Sequence, residues 1–318
     1  MSMDAPRVLV LGAGSIGSRH ARNLLRAGAV VDVMDLDRAR AAAIVGTAAR
    51  PLDLERLHGY DGIVVATPTS LHAEHGSAAL SSGARVLIEK PLAATSHDAH
   101  ELAALGSEKL AVGYNLRFHE PTRRAIDLIL DGAVGRLSSV RLWFGSWLPD
   151  WRPGTDYRAG YSARRDLGGG VLLDAIHELD LALWATETQH LEVVGAVVDR
   201  LGPLEIDAED TVKAVLRTAT GTTVVELSLD YLARRYRRGL EATGATGTIR
   251  LDWARRVIEV EDGDGSRVEQ ADVPIDRSYE AQDTAFVEWL RGGPPLPVDG
   301  TAGVASVALA EAIRAAAT

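Results

Sequence analysis

The sequence predicts an α/β protein built from two domains. Residues 1–118 are predicted to form a doubly wound parallel sheet, and residues 119–318 an α+β domain with a large, mostly antiparallel open sheet. Over residues 7–113 short β-branched runs alternate with helical stretches, as in βαβ units, and a glycine turn joins the first run to the first helix. Beyond residue 190, strand candidates follow one another through Gly and Asp turns, which is typical of antiparallel hairpins.

The composition excludes several classes of protein. The 318 residues include no cysteine, which excludes a disulfide scaffold, a Cys-ligated metal and a thiol nucleophile. A formal net charge of -10 argues against nucleic acid as the main partner. The sequence has no run of about 18 apolar residues, so no membrane span is predicted. The first apolar run, Val8–Leu11, is too short for a signal sequence. The expected location is the cytoplasm.

In the first domain the apolar runs predict strands that are covered on both faces. Strands are predicted at Arg7–Leu11, Val30–Asp35, Gly62–Ala66, Arg85–Glu89 and Leu110–Gly113. Helices are predicted at 15–27, 37–45, 70–82 and 96–106.

The second domain begins with a helix at 119–131 and a strand at 137–147, and an aromatic, Gly-rich connection then leads to a helix at 172–186. Further strands are predicted at 191–199, 210–218, 223–232, 247–252, 256–261 and 267–273. Two helices, at about 277–291 and 301–316, end the chain, and we expect the last to pack back on the first domain.

A dinucleotide-binding motif follows the first strand. Gly12-Ala13-Gly14-Ser15-Ile16-Gly17 has the G-x-G-x-x-G spacing in which glycines allow a tight turn and a close approach of pyrophosphate to the backbone. Asp35 ends the next strand, 18 residues after Gly17, where an acidic residue would bind a ribose 2′-hydroxyl and repel a 2′-phosphate. The motif therefore predicts NAD, with NADP less favoured and Arg38 as the residue that could still receive a phosphate.

Four further stretches carry a family resemblance, and their order and spacing agree with it. They are A-T-P-T-S-L-H-A-E-H at 66–75, Glu89-Lys90-Pro91, G-Y-N-L-R-F at 113–118 and G-G-G-V-L-L-D-A-I-H-E-L-D at 168–180. With the glycine motif they resemble the Gfo/Idh/MocA oxidoreductases, relatives of glucose–fructose oxidoreductase and inositol dehydrogenase. The resemblance implies a Rossmann domain, a nicotinamide cofactor, a sugar or polyol substrate, and a homodimer or homotetramer formed through the open sheet.

The resemblance also implies roles for individual residues. Lys90 would contact the nicotinamide ribose and the reacting hydroxyl, and Asp174 with His177 would form the catalytic pair of the second domain. The further cofactor contacts it implies are Thr67, Pro68, His72 and Glu89. One departure concerns the pair, because many members separate this Asp and His by four residues and here the spacing is three.

The residues themselves support part of this assignment. Lys90 is one of three lysines against 31 arginines, which indicates a need for a compact, titratable amine at the end of a strand. On a continuous helix over 172–186, Asp174, His177 and Glu178 share a polar side, where a carboxylate could orient a general acid–base histidine. The alternative is an exposed polar face. Asp180 falls in the apolar sector and is interpreted as a structural residue that, if buried, must be paired or hydrogen-bonded.

Residues 143–165 suggest a wall of the substrate site. The segment holds three Trp, two Tyr and four Arg, which suit the apolar face of a sugar and an anionic group. The equally weighted alternative is an ordered loop whose aromatics pack on a neighbouring subunit and whose arginines pair with acidic groups. The candidate substrate contacts are Asn115, Arg117, Tyr157, Arg158, Tyr161 and Arg164.

Two other patterns lead to no site. The H-x-x-H spacings at His72/His75 and at His97/His100 lack further ligands, and no metal is predicted. The basic run Arg234–Arg238 is interpreted as a charged strand edge or a set of inter-subunit ion pairs, not a nucleic-acid site.

The leading hypothesis is an NAD(P)-dependent oxidoreductase that transfers a hydride between nicotinamide and a secondary alcohol of a sugar, a sugar acid or a nucleotide-linked sugar. His177 would move the hydroxyl proton, with Lys90 polarising the oxygen and Asp174 orienting the pair. Two alternatives stay open: an NAD-dependent, redox-assisted glycosidase, and a non-catalytic NAD-sensing subunit.

Overall fold

A computed structural model describes residues 5–44 and 46–317 of the chain. The chain divides into two compact units, the first made of Met1–Phe118 and Pro274–Val307, and the second of His119–Val273 and Ala308–Thr318. Among the described residues, no helix combines the length and the apolar character needed to cross a membrane.

The helices and strands are numbered in chain order. The strands are β1 (Arg7–Leu11), β2 (Val30–Asp35), β3 (Ala48–Pro51), β4 (Gly62–Val65), β5 (Arg85–Glu89), β6 (Leu110–Gly113), β7 (Leu137–Gly145), β8 (Leu191–Asp199), β9 (Thr211–Thr218), β10 (Val224–Asp230), β11 (Arg237–Gly244), β12 (Thr248–Asp252), β13 (Val257–Asp262) and β14 (Gly265–Gln270). The helices are α1 (Ser15–Arg26), α2 (Arg38–Ala42), α3 (His72–Ser81), α4 (Ser96–Gly106), α5 (Glu120–Leu130), α6 (Val171–Asp174), α7 (Ile176–Ala185), α8 (Asp276–Leu290) and α9 (Gly300–Ala315).

The first unit contains, within the described residues, a six-stranded parallel sheet in the order β3-β2-β1-β4-β5-β6. The strand order reverses between β1 and β4, and ligands of such sheets bind at the carboxyl ends of the strands beside this switch point. The edge strand β3 was not predicted, because its four residues, A-A-R-P, lie mostly exposed and carry no apolar run.

Helix α8 belongs to the first unit, although the sequence analysis assigned its residues to the second domain. It packs against α1, and Phe286 and Trp289 join the core formed by residues such as Val8 and Val33. Gly62 permits this packing, because a Cβ there would lie 2.7 Å from a methyl carbon of Leu290.

The second unit contains, as far as the structure describes it, an eight-stranded sheet in the order β14-β13-β12-β11-β7-β10-β9-β8. Its neighbouring strands run antiparallel except for β7 and β10, which are parallel. The predicted class, a doubly wound parallel sheet followed by a mostly antiparallel sheet, is therefore confirmed. Helices α5, α6 and α7 pack on this sheet.

One sequence interpretation of this sheet was wrong. The basic run at Arg234–Arg238 does not mark a strand edge, because β11 begins within it and lies between β7 and β12. β11 itself was not predicted, since glycines and charged residues interrupt its pattern. Gly239 is required there, because a Cβ would lie 1.8 Å from the indole of Trp143.

The predicted helix at 172–186 is two helices. α6 ends at Asp174, and α7 begins at Ile176 after Ala175, whose φ of -97° and ψ of 29° break the helical path. Asp174 and His177 therefore do not share the face of one continuous helix, which corrects the angular argument made from the sequence.

Candidate functional site

The glycine loop after β1 leaves its backbone open for a ligand. Gly12 has a φ of +99°, and a Cβ on it would lie 2.6 Å from the carbonyl oxygen of Ala66, so only glycine fits. Gly17 packs closer still, since its Cβ would lie 1.9 Å from the Gly12 carbonyl oxygen. A Cβ at Gly14 would meet nothing within 4 Å, which leaves open space beside the backbone.

Helix α1 starts directly after this loop without a carboxylate of its own. No side chain caps the helix at Gly14, and its first turn contains no acidic residue. The N–H groups of the first turn, which begins with Ser15 and Ile16, therefore keep their capacity to bind phosphate oxygens.

Asp35 is fixed beside the glycine loop. One oxygen of its carboxylate accepts the N–H of Ala13 at 2.6 Å, and the other accepts the N–H of Asp37 at 2.7 Å. Both contacts hold the carboxylate at the end of β2, where an acidic residue binds the adenosine ribose. The negative charge here favours NAD over NADP, and the loop, the uncapped helix and Asp35 together fit a dinucleotide.

His72 joins the turn after β4 to the turn after β5. Its ring is 1% exposed, and its two nitrogens lie 2.8 Å from the carbonyl oxygen of Pro91 and 2.9 Å from that of Thr67. Burial lowers the pKa of His72, and a neutral ring donates to one carbonyl at a time. Pro68 is exposed and starts the short turn that leads to α3.

Lys90 stands at the carboxyl end of β5, in the first unit. Its backbone N–H donates to the Glu89 carboxylate at 3.2 Å, and the Lys90–Pro91 peptide is cis. Glu89 as a whole residue is 6% exposed, so its carboxylate is not a surface group. Its second oxygen faces His20, a residue for which the sequence carries no signal.

Asp174, in the second unit, is held by Tyr231. The Tyr231 hydroxyl donates to Asp174 Oδ2 at 2.6 Å, and the tyrosine is fully buried. Burial, together with the adjacent Asp174 carboxylate, raises the pKa of Tyr231 well above its ordinary value, so the hydroxyl keeps its proton and stays a donor. Tyr231 follows β10, and the sequence alone offered no signal for this contact.

His177 and the residues after it are buried, so the exposed polar face considered as the alternative is absent at these positions. His177 is 6% exposed and Glu178 1%. The Glu178 carboxylate accepts two hydrogen bonds from the Arg238 guanidinium, at 2.6 and 3.0 Å. Asp180 is 1% exposed, in keeping with its position in the apolar sector.

The glycines before α6 set the start of this region. Gly170 has a φ of +110°, and a Cβ on it would lie 2.4 Å from the Glu209 carboxylate. That carboxylate accepts a hydrogen bond of 2.9 Å from Arg314, and the Glu209 backbone carbonyl receives the N–H of Val171. The glycine there leaves room for a buried acid next to the turn that carries Asp174.

In the aromatic loop, residues 143–165, candidate substrate residues bond to other groups of the second unit. Arg158 donates to Asp156 and Glu205, both at 2.9 Å. Tyr157 accepts the N–H of Glu205, and the Tyr161 hydroxyl donates to the carbonyl of Gly168. These contacts favour the structural alternative for this loop.

The remaining candidates follow the same trend. Arg164 donates to Asp166 at 3.0 Å from an exposed position. Asn115 is buried in the first unit and donates to the Ser278 hydroxyl of α8 at 2.7 Å. Arg117 is half-buried in the short turn after β6.

A possible metal-ligand cluster lies on α4, away from the glycine loop in sequence. Among the described residues, the grouping close enough to hold an ion is His97, Asp98 and Glu101, near the start of the helix. His97 and Glu101 are exposed and contact each other at 3.5 Å, one helical turn apart. The geometry is that of a surface ion pair.

Two family models match the chain. One, described as an oxidoreductase family with an NAD-binding Rossmann fold (GFO_IDH_MocA), matches residues 6–114, and the GFO/IDH/MocA C-terminal domain matches residues 122–250. The chain is 28% identical over 323 residues to inositol 2-dehydrogenase of Rhizobium meliloti (strain 1021), covering 95% of this chain and 94% of that protein. It is 32% identical over 316 residues to dTDP-3,4-didehydro-2,6-dideoxy-alpha-D-glucose 3-reductase of Streptomyces antibioticus, covering 92% and 91%.

A solved structure shares the fold. The crystal structure of GenD2 from gentamicin A biosynthesis in complex with NAD superposes with a TM-score of 0.83 at 24% identity, covering 100% of this chain and 95% of that one. The resemblance found in the sequence motifs is thereby confirmed by independent comparisons. The chain belongs to the GFO/IDH/MocA family of oxidoreductases, and its N-terminal part is an NAD-binding Rossmann fold.

Proposed function

We propose that this protein transfers a hydride between NAD(H) and a secondary alcohol carbon of a sugar, a sugar acid or a nucleotide-linked sugar. The observation that carries the proposal is the dinucleotide cradle, in which the Ala13 N–H holds the Asp35 carboxylate beside an open glycine loop. The relatives named for inositol and for a dTDP-linked deoxysugar support the substrate class.

The chemistry assigns one task to each residue. NAD, when bound, supplies the hydride acceptor. In the oxidation direction the C–H bond of the alcohol carbon breaks with its electron pair, the O–H proton passes to His177, and the alcohol becomes a ketone. Lys90 polarises the reacting oxygen, and Asp174 keeps the orientation of the acid–base group, a task for which Tyr231 fixes its carboxylate.

A substrate screen tests this function. The purified protein is incubated with NAD or NADP and with inositol, neutral sugars, uronates and nucleotide-linked sugars, and absorbance is followed at the wavelength of the reduced nicotinamide. We expect net NAD reduction with at least one polyol or sugar, or NADH oxidation with the corresponding ketone. Tight NAD binding with glycoside cleavage and no net absorbance change would contradict the proposal.

The proposed location is the cytoplasm, where NAD is available to a dehydrogenase.

The proposed assembly is a homodimer or homotetramer formed through the eight-stranded sheet. Val197, Val215 and Val224 are 39–42% exposed on neighbouring strands β8, β9 and β10. Opposite charges, such as the Arg217–Glu192 pair, lie on the same strands and suit a self-complementary contact.

Light scattering tests the assembly. We expect a particle of two or four times the 33.9 kDa of one chain. Val215→Asp should dissociate it, because a charge would be buried in the contact. The matched control is Val30→Asp, at an exposed position of β2 in the first unit. A single-chain mass for the unmodified protein at micromolar concentration would overturn the proposed assembly.

A further inference from the structure

A buried chain of charged groups runs beneath the turn that carries Lys90. His20, on α1, is 0% exposed. Its Nε2 lies 2.9 Å from Glu89 Oε1, and its Nδ1 lies 2.6 Å from Asp283 Oδ1. The other oxygen of Asp283 accepts the amide of Asn23 at 2.9 Å. One imidazole thus connects the end of β5 to α8.

Glu89 links His20 to the backbone of Lys90. Its Oε1 faces the His20 ring, and its Oε2 accepts the Lys90 backbone N–H at 3.2 Å. Both oxygens of one carboxylate are therefore used, one for the histidine and one for the residue proposed to polarise the substrate oxygen.

The neighbouring strand leaves room for this carboxylate. At Gly113, the last residue of β6, a Cβ would lie 2.7 Å from Glu89 Oε1 and 3.1 Å from the Glu89 Cα. Any side chain at that position would push Glu89 away from His20. The lack of a side chain at Gly113 is an observation independent of the hydrogen bonds, and it indicates the same fixed position for Glu89.

Stability alone is a weak reason for such a cluster. Buried ion pairs gain little net free energy, because the cost of removing the charges from water offsets their attraction. Packed apolar residues would hold α1, β5 and α8 together at least as well. A cluster placed directly before Lys90 has a different use, which is to permit a single position of the turn.

We propose that His20 is a positioning residue for Lys90. It acts through the Glu89 carboxylate, and Asp283 fixes the other side of its ring. The charged groups that face His20 are Glu89 from β5 and Asp283 from α8, and the ring of Tyr279 on α8 meets it edge-on. This inference rests on the proposed function, since it assigns to His20 the placement of the amine that the reaction uses.

The test is a double-mutant cycle. We compare His20→Gln, Lys90→Met and the double variant for kcat, for the KM of the sugar and for the Kd of NADH. A misplaced catalytic group costs up to about 100-fold in rate, so His20→Gln should lower kcat on the order of 10- to 100-fold with changes in KM and Kd below about threefold. In the Lys90→Met background the same change should have little further effect on kcat, because the group that it positions is gone.

A second variant and a control keep the test decisive if His20→Gln folds poorly. Asp283→Asn keeps the shape of the side chain and disturbs His20 from the side opposite to Glu89, so it should reproduce the loss of kcat and the same coupling to Lys90. His119→Gln is the matched control, because His119 is a buried histidine of the second unit, bonded to Thr122 and to the carbonyl of Val273. It should leave kcat unchanged.

The outcomes separate the two proposals. If Lys90→Met retains full turnover, the proposed role of Lys90 is wrong whatever His20 does. If Lys90→Met is impaired while His20→Gln and Asp283→Asn either keep kcat or lower it equally in both backgrounds, His20 has only a structural role and the inference is overturned.

Discussion

Tyr231 and Asp174, 57 residues apart in the sequence, are joined by a hydrogen bond of 2.6 Å from the tyrosine hydroxyl to the carboxylate. The contact matters because the helical path breaks directly after Asp174. A residue at the end of a four-residue helix has little local support, and the buried hydroxyl of Tyr231, directly after β10, supplies it. Trp151 packs edge-on against the Tyr231 ring at 5.2 Å between centroids, which ties the aromatic loop to the same residue.

Tyr231→Phe should therefore impair catalysis more than folding. The ring still fills its buried position, but the half-buried Asp174 carboxylate loses a donor, and a hydrogen bond to a charged group contributes about 1.5–3 kcal/mol. We expect kcat to fall about 10-fold with little change in NADH affinity. Steady-state kinetics and a fluorescence titration measure the two effects, and an unchanged kcat would show that Asp174 needs no such support.

Lys90→Met should lower turnover by about 100-fold or more, the scale of a lost acid–base or polarising group. Folding and dinucleotide binding should persist, since the glycine loop and Asp35 are unaffected. Steady-state kinetics measures turnover, and circular dichroism with NADH titration checks folding and binding. Lys109→Met is the matched control, because Lys109 is exposed and donates a hydrogen bond to the carbonyl of Gly83.

The cofactor preference should follow the charge at the end of β2. Asp35→Ser combined with Leu36→Arg removes the carboxylate that repels a 2′-phosphate and adds a guanidinium at a side chain that is 85% exposed. We expect kcat/KM to shift toward NADP by at least 10-fold relative to NAD, about 1.4 kcal/mol. An unmodified enzyme that already prefers NADP would contradict the role assigned to Asp35.

The contribution of His20 to the stability of the protein should decrease at alkaline pH. Burial alone would lower its pKa, but Asp283 and Glu89 raise the pKa of His20 from 6.5 to about 10. The folded protein then keeps a proton that the unfolded chain has lost, so the stabilisation is complete below pH 6.5 and disappears as the pH rises through about 10. The difference in unfolding free energy between the unmodified protein and His20→Gln should therefore shrink between pH 7 and pH 10.

Urea unfolding at a series of pH values measures this difference. His119→Gln provides the comparison, because burial lowers the pKa of His119 and its ring is neutral throughout this range. Its difference from the unmodified protein should stay flat. A His20→Gln difference that is equally flat would show that the buried ring is neutral in the folded protein.

The local patterns were sufficient for most of the first unit. β1, β2, β5 and β6 have the predicted bounds because apolar β-branched runs flanked by turn residues leave few other choices. The glycine loop and Asp35 were also found, since their spacing reflects contacts within one βαβ unit. Asp180 was placed in the apolar sector of its helix, and it is buried there.

What the sequence could not indicate depends on distant partners. Glu178 was placed on a polar side, yet it is buried because Arg238, 60 residues later, neutralises it. His20 gave no signal at all, since its partner Asp283 lies 263 residues away. Hydrophobic periodicity describes one helix or strand at a time, so it cannot reveal a pair whose members lie on different elements.

The return of residues 274–307 to the first unit has a consequence for how the protein is made. Asp283, Phe286 and Trp289 complete the charged cluster and the core of a sheet whose strands are all synthesised by residue 113. On the ribosome, these three residues emerge only after most of the second unit has been synthesised. The first unit can therefore complete its core only late in synthesis, long after its own glycine loop has been made.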